Sequence, residues 1–325
     1  MFKIGEIEIK GKVVLAPMAG YTFLSYRNFM NPFGVSLCFT EMVSDMGLTY
    51  GNKETFAYID FPKSDVPTGV QLFGHNSDSI AQAAKICLEY NPNIDFFDVN
   101  MGCPVNKVTS AGAGSSLMKN PAKCGEIVRK IKEITNKPVT AKIRLGWDKK
   151  SINYLEVIDE LEKAGVDLIS IHARTRSELY LGEPNFEEIR DLRLKMHVPL
   201  LVSGNIFTVE DALKALEITK ADGVMVARGG VGNPLLITNI NHALNNEELE
   251  ETTFEKQKEY CLALAKAVIE EKGEYSAIRI FRSMASKFFF NLPQIKKLRN
   301  RLSSEIVTYD DIVRIINEYK EENNL

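Results

Sequence analysis

The sequence lacks paired cysteines and any long apolar run. Its five cysteines are an odd number and form no CxxC pair, which argues against a disulfide framework and against a zinc site. The amino-terminal stretch MFKIGEIEIKGK has no apolar core of the signal-peptide kind, and no window approaches a membrane span. These absences predict a protein of the reducing cytoplasm with neither a metal nor a membrane partner, and we expect it to be a monomer.

The overall charge gives no indication of a nucleic-acid partner, but the charge of one segment does indicate one. The 325 residues carry a net charge of −3, and 45% of them are hydrophobic. Residues 279–301 nevertheless hold seven cations and no acid: Arg279, Arg282, Lys287, Lys296, Lys297, Arg299 and Arg301. Such a run in a mildly acidic chain can mark a surface that meets phosphate groups.

Short apolar runs alternate with helical patterns as far as about residue 240. Strands that are apolar almost throughout are typical of a parallel sheet covered on both faces. The helical pattern at 151–165 is one of the intervening helices, and Gly165 is its predicted carboxyl-terminal stop. The predicted strands are 13–18, 36–42, 68–74, 96–102, 139–146, 168–174, 200–206 and 223–229.

A two-strand rhythm supports a closed barrel. Proline precedes or opens the third, fifth and seventh strands, and aspartate precedes the fourth, sixth and eighth: Pro67, Pro138 and Pro199; Asp95, Asp167 and Asp222. Because odd and even strands supply different layers inside an eight-stranded barrel, such a rhythm is expected there. We therefore predict an α/β fold, a (β/α)8 TIM barrel. A doubly wound sheet is the alternative, but it usually carries an early GxGxxG, which this chain lacks.

The strand signals stop after Pro234, and the remainder is helical in pattern. Helices are predicted at 255–273, 275–290 and 310–322. The predicted domains are therefore a catalytic barrel at 1–240 and an all-helical carboxyl-terminal domain at 241–325.

Polar residues follow the predicted strands at the end where barrel enzymes hold their chemistry. SGNI (203–206) and ARGG (227–230) come after the seventh and eighth strands, where backbone N–H groups often bind phosphate. Arg228 can add a fixed charge there, although two tight turns that merely need glycine would explain the same letters. Lys142, inside an apolar strand, requires a partner, either an electron-rich ring or the carboxylate of Glu41 or Asp98. His172 is either a ligand contact or a hydrogen-bonded core histidine.

These motifs resemble those of the tRNA-dihydrouridine synthases. The matching segments follow the order of the barrel: VLAPMAGYT (14–22), TEMVS (40–44), GVQLFG (69–74), VNMGCPVNKV (99–108), AGAGSSLMKNP (111–121), KIRLGWD (142–148), IHARTRSELYLG (171–182), LVSGNI (201–206) and VARGGVGNP (226–234). The resemblance implies an FMN-dependent barrel that uses NADPH to reduce the C5–C6 double bond of uridines in tRNA.

The resemblance also implies roles for individual residues. Cys103 would be the catalytic acid, and Asn100, Arg174 and Arg176 would contact the substrate nucleotide. The FMN-binding set would be Pro17, Met18, Ala19, Gln71, Lys142, His172, Ser203, Gly204, Asn205, Ala227 and Arg228. The tRNA-binding cations would be Arg279, Arg282, Lys296, Lys297 and Arg299, although Met284 and Phe288 stand where the family often has histidine and tyrosine.

A thiol suits the role of a proton donor. Free cysteine has a pKa of about 8.5, so near neutral pH it stays mostly protonated and can still donate. Cys103 lies at a predicted strand mouth, whereas the other four cysteines fall in apolar or helical patterns typical of structural thiols. The small residues AGAGSS that follow would let its loop move.

Two other functions remain open from the sequence. One is a small-molecule FMN oxidoreductase of the dihydroorotate dehydrogenase type, which would leave the basic tail without a purpose. The other is an RNA-binding relative that keeps the fold without turnover, against which the presence of Cys103, Lys142 and His172 argues.

Overall fold

The computed structural model describes residues 1–325, and its centre is a parallel sheet of eight strands. The order is β3-β10-β9-β8-β7-β6-β5-β4, and the two ends meet because Ser36 donates a backbone hydrogen bond to Val13 and Leu15 donates one to Leu37. The predicted (β/α)8 barrel is therefore confirmed. The strands are β1 (Phe2–Ile4), β2 (Ile7–Ile9), β3 (Val13–Leu15), β4 (Cys38–Ser44), β5 (Thr68–Phe73), β6 (Phe96–Asn100), β7 (Val139–Arg144), β8 (Leu168–His172), β9 (Leu200–Ser203) and β10 (Gly223–Val226).

Helices surround the sheet and then continue beyond it. They are α1 (Leu24–Met30), α2 (Asp45–Thr49), α3 (Lys53–Ala57), α4 (Ser77–Tyr90), α5 (Asn106–Thr109), α6 (Pro121–Ile134), α7 (Tyr154–Lys163), α8 (Val209–Thr219), α9 (Leu235–Asn245), α10 (Phe254–Lys272), α11 (Glu274–Ala285), α12 (Ile295–Ser304) and α13 (Tyr309–Asn323). None of them combines the length and the apolar character that a membrane crossing requires.

All eight predicted barrel strands are present, but most end earlier than predicted. The strand predicted at 200–206 ends at Ser203, because Gly204 (φ 136°) and Asn205 (φ 45°) have backbone angles that a strand does not allow. Apolar residues continue past the end of these strands because the loops that follow are also buried. The loops thus start deeper in the barrel mouth than hydrophobicity alone predicts.

The proline and aspartate rhythm has a structural cause at the amino-terminal end of the barrel. Each aspartate accepts a hydrogen bond from the backbone N–H of the residue after the proline, across one strand pair: Thr68 to Asp95 at 2.9 Å, Val139 to Asp167 at 2.7 Å and Leu200 to Asp222 at 2.8 Å. Each also pairs with a cation, respectively Lys63, Lys132 and Arg193. The same device therefore fixes three odd–even strand pairs in register.

An amino-terminal hairpin, which the sequence analysis missed, covers this end of the barrel. Strands β1 and β2 pair antiparallel, and Phe2, Ile4 and Ile9 pack with the residues that fill the barrel interior. The barrel is therefore a filled core at this end, and the only open face is the opposite one.

The tail is helical as predicted, with one helix more than expected. Helix α12 was not predicted, because it buries only Leu298 and Leu302. Helix α9 runs without a break across residue 240 and packs on α8 and β3, so the predicted domain boundary falls inside the last helix of the barrel. The connection at 246–253 leads from α9 to α10, and α10–α13 form the helical region that follows the barrel.

The helical region docks closely on the barrel. Helix α10 packs along α1, and the backbone N–H of Ser25 donates to Glu271 at 2.6 Å. Gly232 (φ 79°) lies directly against the backbone of Lys287, where a Cβ atom would come within 2.4 Å of the Lys287 carbonyl carbon. No side chain fits at this position, so glycine in the VGNP turn permits the two parts to meet.

Candidate active site

A cleft of about 310 Å³ opens at the carboxyl ends of the barrel strands. It gathers residues from loops that are far apart in the sequence, because parallel strands of a barrel all end on one face. Every residue of the predicted FMN-binding set lines it, together with Asn100 and Cys103.

The backbone of Cys103 is held from two sides. Its N–H donates to the Asn100 side chain at 2.9 Å, and its carbonyl accepts from the N–H and hydroxyl of Ser115 at 3.1 and 2.9 Å. Gly114 (φ 60°) packs so closely that a Cβ atom there would lie 2.8 Å from the Cys103 carbonyl oxygen. The small residues that follow the thiol in sequence thus support it from behind.

Burial raises the pKa of the Cys103 thiol, while the nearby charges of Arg144 and Lys142 act in the opposite direction. The side chain is partly exposed to the cleft, whereas Cys38, Cys87, Cys124 and Cys261 are buried. The group at the cleft is therefore a protonated thiol at neutral pH, with two cations near enough to stabilise the thiolate that remains after it donates.

Lys142 stands in the cleft without an ion-pair partner. Asp98 uses both carboxylate oxygens on Thr140 and Gln71, each at 2.6 Å, and the Glu41 carboxylate accepts from the backbone N–H of Gly20. Burial, followed by the charge of Arg144, lowers the pKa of Lys142 to about 8, and Asp98 only partly opposes this. Neither carboxylate proposed from the sequence forms an ion pair with the ammonium.

His172 is neutral, and its tautomer can be assigned. Burial and then the charges of Arg144 and Lys142 lower its pKa well below the usual value. Arg174 Nη1 lies 3.0 Å from His172 Nε2. Because a guanidinium only donates, Nε2 accepts, and the proton is on Nδ1. The imidazole therefore keeps an Nδ1–H donor for which the chain itself supplies no acceptor.

The loops after β9 and β10 form a cradle of free backbone donors. The N–H groups of Gly204, Asn205 and Ile206 have no acceptor within the chain. Gly229 approaches so closely that a Cβ atom there would lie 2.0 Å from the Ile206 carbonyl oxygen, so this turn also requires glycine. Arg228 Nη2 reaches the Asn205 side chain at 3.4 Å. Consecutive free N–H groups beside an arginine are the donor set that suits a phosphate.

The two predicted substrate arginines lie outside the cleft. Arg174 is 1% exposed, and its guanidinium donates to His172 and to the carbonyls of Leu181 and Gly182. Arg176 lies over the Trp147 ring, 4.6 Å from its centroid, and donates to Asn106 at the start of α5. In this geometry both side chains fasten loops of the mouth.

The predicted tRNA-binding cations have different surroundings. Lys297 pairs with Glu322 at 2.7 Å, whereas Arg299 donates to the Phe289 carbonyl at 2.8 Å and lines a groove with Lys287 and Arg228. This groove shares Phe207, Arg228 and Gly229 with the cleft, so the two are continuous. The remaining three are Arg279, which lies beside Tyr275, Arg282, which donates to Ile306, and Lys296, which is exposed.

Several residues of the cleft were not predicted. Tyr180, 48% exposed, has Arg144 and Arg228 at 5.3 and 5.4 Å from its ring centroid, and it also lies beside His172. Tyr21 also lines the cleft. Both occur within motifs quoted above, but nothing in the letters shows that their rings face the mouth.

The fold and the cleft define a barrel enzyme whose chemistry is at the carboxyl ends of its strands. The chain belongs to the dihydrouridine synthase family, whose model, described as "Dihydrouridine synthase (Dus)", matches residues 14–317. The resemblance drawn from the motifs is thereby confirmed, and with it a flavin-dependent oxidoreductase.

Curated relatives carry the same family name. The chain is 32% identical to a "Probable tRNA-dihydrouridine synthase" of Rickettsia bellii, a match that covers 96% of this chain and 97% of the relative. It is 36% identical to "tRNA-dihydrouridine synthase B" of Pasteurella multocida, over 72% of this chain and 70% of the relative. A morphinone reductase structure is similar with a TM-score of 0.49 at 14% identity, over 77% of this chain and 91% of that chain.

Proposed function

We propose that the protein is an FMN-dependent tRNA-dihydrouridine synthase that uses NADPH to reduce the C5–C6 double bond of uridines in tRNA. The observation that carries the proposal is the composition of one cleft. A protonated thiol, Cys103, faces the same space as an unpaired lysine, Lys142, and a cradle of free backbone N–H groups at 204–206. A flavin-dependent reduction that ends in proton donation gives all three a task, and the groove with Arg228, Lys287 and Arg299 that joins the cleft favours an RNA substrate over a small molecule.

The cradle fits the phosphate end of FMN. A phosphate brings strong acceptor oxygens and a charge close to −2 at neutral pH, and the free N–H groups of Gly204, Asn205 and Ile206 with Arg228 supply donors and a counter-charge. Ser203 and Ala227 complete the two loops that would hold it.

The opposite part of the cleft fits a flavin ring. Pro17, Met18 and Ala19 line it just after the end of β3. Gln71 keeps one amide hydrogen unassigned after its bond to Asp98, and His172 offers Nδ1–H. Lys142 would donate to the electron-rich edge of the ring, which supplies the partner that its ammonium lacks within the chain.

Cys103 would complete the reaction. FMN bound in this cleft would, once NADPH has reduced it, supply the hydride that C6 of the uracil receives. The thiol of Cys103 would donate its proton to C5, so that the C5–C6 double bond becomes single and a thiolate remains. The charges of Lys142 and Arg144 would stabilise that thiolate until solvent protonates it again. Asn100, which holds the Cys103 backbone, would also border the target base.

The substrate would approach along the groove. A uridine stacked in folded tRNA cannot reach this cleft, so it must be extruded, and loop uridines require the least energy. Arg228, Lys287 and Arg299 would follow the RNA backbone from the mouth to the helical region. The other predicted cations, Arg279, Arg282, Lys296 and Lys297, would add contacts farther out. Arg174 and Arg176 would act on the nucleotide indirectly, through the mouth loops that their side chains hold in place.

We also propose that the protein works as a monomer in the cytoplasm. Five cysteines without a disulfide suit a reducing compartment.

The test is direct reduction of unmodified tRNA. Purified protein with FMN and NADPH should form dihydrouridine in transcribed tRNA, detected by mass spectrometry of the nuclease digest, and the modified position should be read from the fragments. Reduction of a free pyrimidine at the same rate would favour a small-molecule oxidoreductase. Tight tRNA binding without any dihydrouridine would favour a non-catalytic RNA-binding protein.

A further inference from the structure

A buried carboxylate below the cleft is the start of a hydrogen-bond chain that ends at Cys103. Asp98 lies on β6, is 0% exposed and does not line the cleft. Its Oδ1 accepts from the Thr140 hydroxyl and its Oδ2 from Gln71 Nε2, both at 2.6 Å. Each carboxylate oxygen therefore has a partner inside the protein, and one of these two partners is a side chain of the cleft.

Two amides continue the chain. Gln71 Oε1 accepts from Asn100 Nδ2 at 2.9 Å. Asn100 Oδ1 accepts from the backbone N–H groups of Cys103 at 2.9 Å and of Gly102 at 3.2 Å. Four residues from two neighbouring strands and the following loop thus form an unbroken path from Asp98 to the backbone of Cys103.

The path has only one orientation in which every bond is satisfied. A carboxylate can only accept and a peptide N–H can only donate, so the two ends fix the direction of both amides between them. If Gln71 turned its amide over, its oxygen would face the Asp98 carboxylate. If Asn100 did so, its NH2 group would face two backbone donors. Either reversed orientation would leave buried polar groups unpaired, which would cost free energy of folding.

We propose that Asp98 is a positioning residue for Cys103: it fixes the amide orientations of Gln71 and Asn100, and through them the backbone of the proton donor. The role in catalysis rests on the proposed function of Cys103. The hydrogen-bond path itself does not depend on that function, so the two can be tested separately.

The required property of Asp98 is an acceptor oxygen, and this distinguishes two substitutions. In Asp98→Asn, Oδ1 can still accept from Gln71. Its NH2 group can face the Thr140 hydroxyl, which is able to turn and donate to the Phe97 carbonyl 3.4 Å away. In Asp98→Leu both acceptors are lost, and Gln71 Nε2 is left without a partner in the core.

The readout is the reactivity of the Cys103 thiol, which needs neither tRNA nor NADPH. The other four cysteines are buried, so alkylation by iodoacetamide, followed by mass spectrometry, reports on Cys103 in the FMN-loaded protein. We expect Asp98→Leu to be alkylated about tenfold or more faster than wild type, because the loosened backbone exposes the thiol, and Asp98→Asn to change by about threefold or less. Thr140→Val, which removes the other partner of Asp98 and leaves the path intact, should stay near the wild-type rate.

Two results would overturn the proposal. One is a folded Asp98→Leu variant that reacts at the wild-type rate. The other is an equal change in Asp98→Leu and Asp98→Asn, which would show that the charge of Asp98 matters and its acceptor role does not. If Asp98→Leu does not fold, Asp98→Ala replaces it. Hydrogen exchange of the peptide that contains Gly102 and Cys103 then gives a second readout, expected to be faster in Asp98→Ala and unchanged in Asp98→Asn.

Discussion

The ammonium of Lys287 donates a hydrogen bond to the hydroxyl of Tyr21 at 2.7 Å and lies 4.6 Å from the centroid of the same ring. Tyr21 lines the cleft, whereas Lys287 follows α11 in the helical region. The contact therefore links the part of the protein proposed to bind RNA with the edge of the proposed reaction site.

Loss of this contact should affect tRNA more than the cofactor. We expect Lys287→Met to raise the KM for tRNA about five- to thirtyfold, since it removes one cation from the groove and one bond from the mouth. Tyr21→Phe is the matched variant, because it removes the hydroxyl and keeps the ring under the ammonium. Steady-state kinetics with transcribed tRNA measure these KM values. Equal KM values in Lys287→Met and wild type would contradict the proposal that the groove binds tRNA.

The position of the groove indicates which of the proposed tRNA-binding cations contribute most to tRNA binding. Arg299 lines it, whereas Lys297 is already paired with Glu322. Each phosphate contact contributes about 0.9 to the slope of log K against log salt on duplex nucleic acid and about 0.7 on single strands. Arg299→Ala should therefore reduce the magnitude of this slope for tRNA by nearly the value of one contact. Lys297→Ala should reduce it by less than half as much. Binding titrations at several salt concentrations measure both, and a larger effect of Lys297→Ala would place the RNA on the other face of α12.

The aspartates at the base of the barrel should contribute to stability. Asp167 accepts from the Val139 N–H and from Lys132, both at 2.7 Å. Its replacement by alanine leaves a backbone donor at the start of β7 without a partner, which should cost about 1–3 kcal/mol in the free energy of unfolding.

Urea unfolding of Asp167→Ala can be compared with that of Lys132→Met. The second variant keeps the acceptor and removes only a partly exposed ion pair, worth about 0–1 kcal/mol. Equal losses in the two variants would mean that the ion pair, and not the acceptor for the Val139 N–H, carries the stabilisation.

The sequence predicted which residues meet in the cleft better than it predicted the contacts of each side chain. The eight strands follow from apolar runs, and the meeting of Gln71, Lys142 and Cys103 follows from barrel topology once the strands are known. The contacts of Arg174 could not be predicted from the sequence. The resemblance implies a contact to the substrate nucleotide, whereas in the structure the loop 175–182 folds back and the carbonyls of Leu181 and Gly182 accept from the guanidinium. The hairpin of β1 and β2 was missed because three-residue strands are too short for periodicity to indicate.

The Cys103 thiol should be required for reduction of the base and dispensable for cofactor binding. General acid catalysis contributes about a hundred- to ten-thousandfold, so Cys103→Ala should lose at least the lower figure in dihydrouridine formation. FMN content and NADPH oxidation provide the controls, because Cys103 is not proposed to take part in either. Dihydrouridine formation at the wild-type rate would remove Cys103 from the reaction.

The affinity for FMN should fall as the pH rises through about 8. The pKa of Lys142 is lowered from 10.5 to about 8 by burial and by Arg144. An electron-rich flavin edge would favour the ammonium and raise that pKa in the complex. Between the two pKa values binding then takes up a proton, and the affinity decreases by up to about tenfold per pH unit.

Lys142→Met should bind FMN more weakly than wild type at pH 7 and show little change between pH 7 and 9.5. The FMN phosphate does not account for a slope in this range, because a phosphate monoester has its second pKa near 6 and is already fully charged. Fluorescence titration of FMN at intervals across this range measures both proteins. A wild-type affinity that is constant from pH 7 to 9.5 would show that Lys142 does not donate to the flavin, and a parallel decline in Lys142→Met would assign the titration to another group.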